Sequence, residues 1–190
     1  MSNIDSRHLL DEANTVERLL GRKPKVPFIV ATHCPDGTIQ VLQTDPANWE
    51  DNRWKPFPSF FWLVCPRLKK LISQLEQSGF IREIANRLKN DQSFRELFLK
   101  GQKEVLMFRR ELAKKIVPQE FWNQVEKVLE ETNIAGSRNM LGVKCLHAHS
   151  AQTLAFGRNP IGEMVLEKIG RCQADVPCLT HNLSSSEEES

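Results

Sequence analysis

The strand-like segments of this chain all fall before residue 65, and from Pro66 onward the apolar residues recur at helical spacing. That segregation predicts an α+β fold, mostly helical, in which a small N-terminal antiparallel sheet of about three strands packs against a helical array. Before the sheet, Leu9, Ala13, Val16 and Leu20 share one face of a helix that stops at Gly21 and Pro24. Val26 to His33 and Thr38 to Leu42 are rich in β-branched residues and flank Pro35-Asp36-Gly37, so they read as a hairpin whose first strand, entered at Pro27, lies at an edge. Residues 44–58 read as a loop rich in Pro, Asn, Asp and Trp, and Ser59 to Val64 as a short buried strand.

Pro66 occupies a first-turn position, and Leu68, Leu71, Ile72 and Leu75 give the next helix its apolar face until Gly79. Ile81 to Leu88, Phe94 to about Ile116, and Pro118 to Leu129 continue the helical pattern, which breaks at the loop 133–139. Two more helices are expected, at about Leu146 to Phe156 and Glu163 to Ile169. The 190 residues suit one domain, taken as 1–183, followed by a Ser/Glu tail at 184–190 too polar to pack and expected to be disordered.

Composition bounds the function. No run approaches the roughly 18 apolar residues of a membrane span. The N-terminus lacks the basic flank and apolar run of a signal peptide, so the expected compartment is the cytoplasm. With 26 basic against 24 acidic residues, the chain lacks the strong positive bias of a dedicated nucleic-acid binder. The phosphate-cradling, dinucleotide, zincin and serine-hydrolase motifs are absent. Arg67, Lys69 and Lys70, and Arg109, Arg110, Lys114 and Lys115, form two basic clusters that read first as solvated helix faces and second as holds for a phosphate-containing ligand. Trp49, Trp54 and Trp62 read as anchors of the sheet before they read as pocket walls.

The cysteines carry the chemical signal. Five thiols, an odd number without an export signal, argue against a disulfide framework. Cys34 and Cys65 each precede a proline at a strand end, and Cys145 stands just before a helix, followed by His147 and His149. Element ends can present residues from distant parts of the chain to one place. Cys34, Cys65, Cys145 and His147, with His149 as neighbour or substitute, therefore form a candidate metal centre whose soft sulfur and nitrogen donors suit zinc or a similar divalent ion. The competing reading is that these are buried, silent cysteines in a module that docks a protein partner. A third is thiol chemistry, since Cys65 and Cys145 both stand at helix N-termini, where a thiol loses its proton more readily. The two Cys-Pro dipeptides also match a short haem-binding motif, a weak signal that a turn proline explains as well. Cys172, Cys178 and His181 form a looser group read as unliganded.

Several motifs occur together: His33-Cys34-Pro35-Asp36-Gly37, Pro56 to Pro66, Val143 to His149, and Gly157-Arg158-Asn159-Pro160-Ile161-Gly162. Over about residues 26–165 the chain resembles the bacterial family called domain of unknown function 501. The resemblance implies a bacterial cytosolic protein and no catalytic assignment. It also implies a gene neighbourhood with an exopolyphosphatase and a division-septum protein, and it matches Cys34, Cys65, Cys145 and His147 to motif positions. The reading is then a metal-binding protein in which a closed four-ligand site would be structural. An open site would permit hydrolysis of a substrate held by Arg67, Lys69 or Arg158.

Overall fold

The computed structural model describes residues 3–172. Helix α1 (Asn3–Leu20) leads into β1 (Phe28–His33) and β2 (Ile39–Thr44), then β3 (Ala47–Glu50), β4 (Arg53–Pro56) and β5 (Phe61–Leu63). The helices α2 (Pro66–Gln77), α3 (Phe80–Asn90) and α4 (Gln92–Ile116) follow, then a 3-10 turn (Gln119–Gln124), α5 (Glu126–Glu131), α6 (Leu146–Ala155) and α7 (Pro160–Ile169). The main sheet is antiparallel in the order β1-β2-β5, as the sequence predicts, with β1 at an edge. The Ser/Glu tail, Cys178 and His181 lie outside the described residues. Among the described residues no helix is long and apolar enough to cross a membrane.

The sheet is covered on both faces. Val16 of α1 packs with Ile39, Leu42 and Val64 on one side, where Trp62 and Phe28 also lie. Val41, Phe61 and Leu63 face the other way, into a core with Leu68 and Ile72 of α2, Ile84 of α3, Phe98 and Val105 of α4, Leu146 of α6 and Val165 of α7. Residues 44–58, expected to be a loop, contain a second hairpin instead: β3 pairs with β4, Trp49 opposite Trp54. Asp51 and Asn52 take φ values of 52° and 59°. Two consecutive positive φ values are what a two-residue hairpin turn needs, and Asp and Asn are among the few side chains that tolerate them. Trp54 carries this hairpin onto a small second core with Ala113, Val117, Trp122 and Leu129.

Arg109, read from sequence as part of a solvated basic face, is fully buried. Its guanidinium donates to the carbonyls of Pro58 (2.8 Å), Asn133 (3.2 Å) and Thr132 (2.7 Å), and to that of Leu129. Burial pulls its pKa down to about 10, so it stays charged at neutral pH. The carbonyls of Leu129 and Thr132 lie at the C-terminal end of α5, whose partial negative charge compensates the cation; among the described residues no carboxylate pairs with it.

A second buried polar group joins α6 to α7. The Asn159 side-chain oxygen caps α7 by accepting from the amides of Ile161 (3.1 Å) and Gly162 (3.2 Å). That fixes its amide nitrogen as the donor to His149 Nδ1 (3.0 Å) and to Gln152 Oε1 (2.8 Å). His149 is fully buried, and burial lowers its pKa to about 4.

Two outcomes follow from these interactions. Arg109→Met strands several carbonyls in the interior and should cost at least about 3 kcal/mol in urea denaturation, with Arg109→Lys restoring only part of it because three donors replace five. Between pH 6.5 and 4 the unfolded chain binds a proton at His149 that the folded chain refuses, so stability falls as pH falls through that window, by about 3 kcal/mol. Denaturation curves across that range should flatten in His149→Gln.

Candidate metal and thiol site

Cys145 is the residue before the first turn of α6, with an extended backbone. Its sulfur lies 3.6 Å from His147 Nδ1. Glu76, in the last turn of α2, brings Oε1 to 3.3 Å from the same nitrogen. It also accepts the Leu146 amide at 2.6 Å, thereby satisfying one of the unpaired first-turn donors of α6. The Glu76, Cys145 and His147 ligand atoms all lie within 4.8 Å of one another. A carboxyl side chain and a thiol thus share the N-terminal end of one helix.

The protonation states follow from partners. His147 Nε2 faces the Lys69 carbonyl at 3.2 Å and the Ser73 hydroxyl at 3.4 Å. A carbonyl only accepts, so Nε2 carries a proton. Nδ1 faces a carboxylate and a sulfur, both of which are better partners for a second N–H than for a lone pair. The hydrogen bond with Cys145 holds the His147 pKa above the usual imidazole range against the cost of burial. Burial raises the Cys145 pKa, but the His147 hydrogen bond, the Ala148 amide and the imidazole charge together outweigh it, and the net shift is downward. The contact therefore lowers the proton affinity of the thiol and raises that of the imidazole, so the two groups favour each other's charged forms.

Cys145 and His147 border a cleft of about 230 Å³ walled also by Ser59, Phe61, Trp62 and Leu63 at β5, by Ile134 and Ala135 after α5, and by Ala148 of α6. Ile134 and Ala135 are held by Asn133, whose side-chain oxygen accepts from the amides of Ala135 and Ser137, each at 3.0 Å. Asn133 in turn is tied through its carbonyl to Arg109, which also holds Pro58, next to Ser59.

Of the residues singled out in the sequence, the structure brings together Cys145 and His147 and adds Glu76. Cys34 lies instead in the Cys34-Pro35-Asp36-Gly37 turn, closed by the Gly37 amide on the Cys34 carbonyl at 2.9 Å, and its thiol donates to Asp36. Burial and then Asp36 push that thiol up, away from the thiolate a ligand requires. Cys65 is buried just before α2, eleven residues from Glu76, which is about 16 Å along the helix axis. His149 lies on the core side of α6. Arg67 reaches the Gly170 carbonyl and Cys172, Lys69 the Leu19 carbonyl, and Arg158 pairs with Glu104 at 2.7 Å, so none of the three walls the cleft. Of the three tryptophans only Trp62 does.

Glu76 escaped the sequence reading because Lys69, Ser73 and Glu76 recur as a polar stripe on α2 opposite Leu68, Ile72 and Leu75, the pattern of a solvated face. Only the approach of the α6 N-terminus gives that stripe a purpose. In metal-free protein, Cys145 should react with iodoacetamide near neutral pH faster than Cys34, and His147→Gln should slow it by removing the contact that lowers the thiol's pKa; mass mapping of alkylated peptides reads both.

A family model described as protein of unknown function (DUF501) matches residues 30–167. No curated protein and no solved structure matches the chain. The matched span takes in the main sheet, α2 to α6 and most of α7, and with them Glu76, Cys145 and His147, so the chain belongs to the domain of unknown function 501 family.

Proposed function

We propose that Glu76, Cys145 and His147 bind one divalent ion of the zinc type, with three protein ligands and a fourth position turned toward the cleft. The observation that carries this reading is the length of two sides of the ligand triangle, the third being within 4.8 Å. Zinc bonds of about 2.3 Å to sulfur and 2.0–2.2 Å to nitrogen or oxygen, at tetrahedral angles, put sulfur and nitrogen about 3.5 Å apart and nitrogen and oxygen about 3.4 Å apart. The separations here are 3.6 Å and 3.3 Å. Further support comes from the Lys69 carbonyl on His147 Nε2, the kind of outer contact that fixes a ligating imidazole and leaves Nδ1 to the metal. An ion with an open position activates water or polarises a carbonyl, which makes hydrolysis in the cleft the reaction class that fits.

A second reading uses the same atoms without metal: the Cys145 thiolate is itself the nucleophile, with His147 as its proton partner and Glu76 orienting the ring. The position at the α6 N-terminus favours it. The two readings differ in one measurable respect. Protein purified without chelator should carry about one equivalent of zinc or a similar ion by elemental analysis. Glu76→Gln, Cys145→Ser and His147→Ala should each lose it, while Cys34→Ser retains it. Alkylation of Cys145 should be slow until a chelator is added. Metal-free protein with Cys145 already reactive would replace the metal reading with the nucleophile. Absence of both metal and reactivity would leave the interaction module, with its silent cysteines, as the better account.

A further inference from the structure

The wall of the cleft formed by β5 is the outer edge of a sheet, and its hydrogen-bonding groups can be assigned from the register. The Thr44 amide donates to the Phe60 carbonyl (3.0 Å) and the Val64 amide to the Gln40 carbonyl (2.9 Å), with Trp62 opposite Leu42 between them. In-plane groups alternate along a strand, so those of residues 60, 62 and 64 point toward β2 and those of Phe61 and Leu63 point away from it. Strand β5 ends the sheet, and among the described residues nothing hydrogen-bonds to the amides or carbonyls of Phe61 and Leu63. These residues are only 4% and 8% exposed. Backbone polar groups of residues so deeply buried normally have partners. Phe61 and Leu63, whose outward groups repeat about 7 Å apart along the strand, are both among the residues that wall the cleft with Cys145 and His147.

We infer that the cleft receives an extended, uncharged polypeptide segment of another protein, laid along β5 as a fourth strand with its backbone beside the Cys145 and His147 pair. The spacing suits an extended backbone, whose outward groups repeat every second residue. Charge fits as well: apart from Cys145 and His147 the walls are apolar or hydroxyl-bearing, and Arg67, Lys69 and Arg158 are engaged elsewhere, which disfavours phosphorylated or acidic occupants. The inference deepens the proposed function by naming a substrate class, and it rests on that reading only for the identity of the reacting group.

The test is a titration of the isotope-labelled full chain with acetylated, amidated pentapeptides of alternating Thr and Val, read by amide shifts and hydrogen exchange. In the free protein the Phe61 and Leu63 amides should exchange faster than those of Trp62 and Val64. Peptide should bind saturably with Kd below about 1 mM and slow exchange at Phe61 and Leu63. N-methylation of the peptide at one set of alternate residues should weaken binding at least tenfold, and at the other set less than twofold. Equal effects at both sets, no saturable binding, or protection of the same two amides by self-association without peptide would each overturn the inference. Zinc content measured on the same sample separates the two readings: peptide bound by metal-free protein sinks only the metal, and metal without peptide binding sinks only this substrate class.

Discussion

A buried positive charge, paired with backbone carbonyls and with no carboxylate partner among the described residues, organises the middle of this molecule. Arg109 projects from the long helix α4 and spreads its donors over the chain before β5 and the chain after α5. Those two segments are distant in sequence, and the guanidinium ties their backbones to one point on α4. The guanidinium suits the task because its donors diverge in one plane and remain protonated, whereas an ammonium group reaches fewer carbonyls. Two parts of the cleft wall are tied to Arg109: Pro58 leads to Ser59 and β5, and Asn133 leads to Ile134 and Ala135.

The reactive group is built with similar economy. The start of α6 would leave its first amides unpaired, and the sequence places no Ser, Thr, Asp or Asn there to cap it. Glu76 supplies a carboxylate from α2, and the cysteine at the cap position places its sulfur beside the same helix end. His147 then has acceptors at both ring nitrogens. The same contacts that complete the helix therefore set the charge state of the site, and stability and chemistry are hard to separate at these three residues.

Most of the fold is legible in the sequence because apolar spacing reports which face is buried. The β1-β2 hairpin, the β5 run and helices α2 to α4 are all readable this way. Residues 47–56 are not, because Trp49, Trp54 and the prolines look like a loop until the Asp51-Asn52 turn and the docking surface of Trp122 are known. Arg109 misleads for a related reason: adjacent Arg110 and nearby Lys114 suggest a wet basic face, and nothing local says that one member points inward. Cys145 and His147 are visible as a pair because they are close in sequence. Glu76 and the edge of β5 come from elsewhere in the chain and need tertiary packing to meet them. The Gly157 to Gly162 motif, read only as part of a resemblance, is architectural in large part: Asn159 caps α7 and orients His149 and Gln152.

Gly162 shows what that architecture does at a distance. A side-chain carbon there would stand 2.3 Å from the His149 carbonyl and 2.1 Å from the Thr153 hydroxyl, so α7 presses directly on the backbone of α6. Helix α6 is thereby gripped along one flank by a neighbouring main chain and held at its tip by Glu76. A short rod fixed at two points transmits displacement rather than absorbing it. Even a methyl group added at Gly162, a residue that does not line the cleft, would press on the rod that carries the sulfur and the imidazole, and tenths of an ångström at the grip become errors of alignment at the tip.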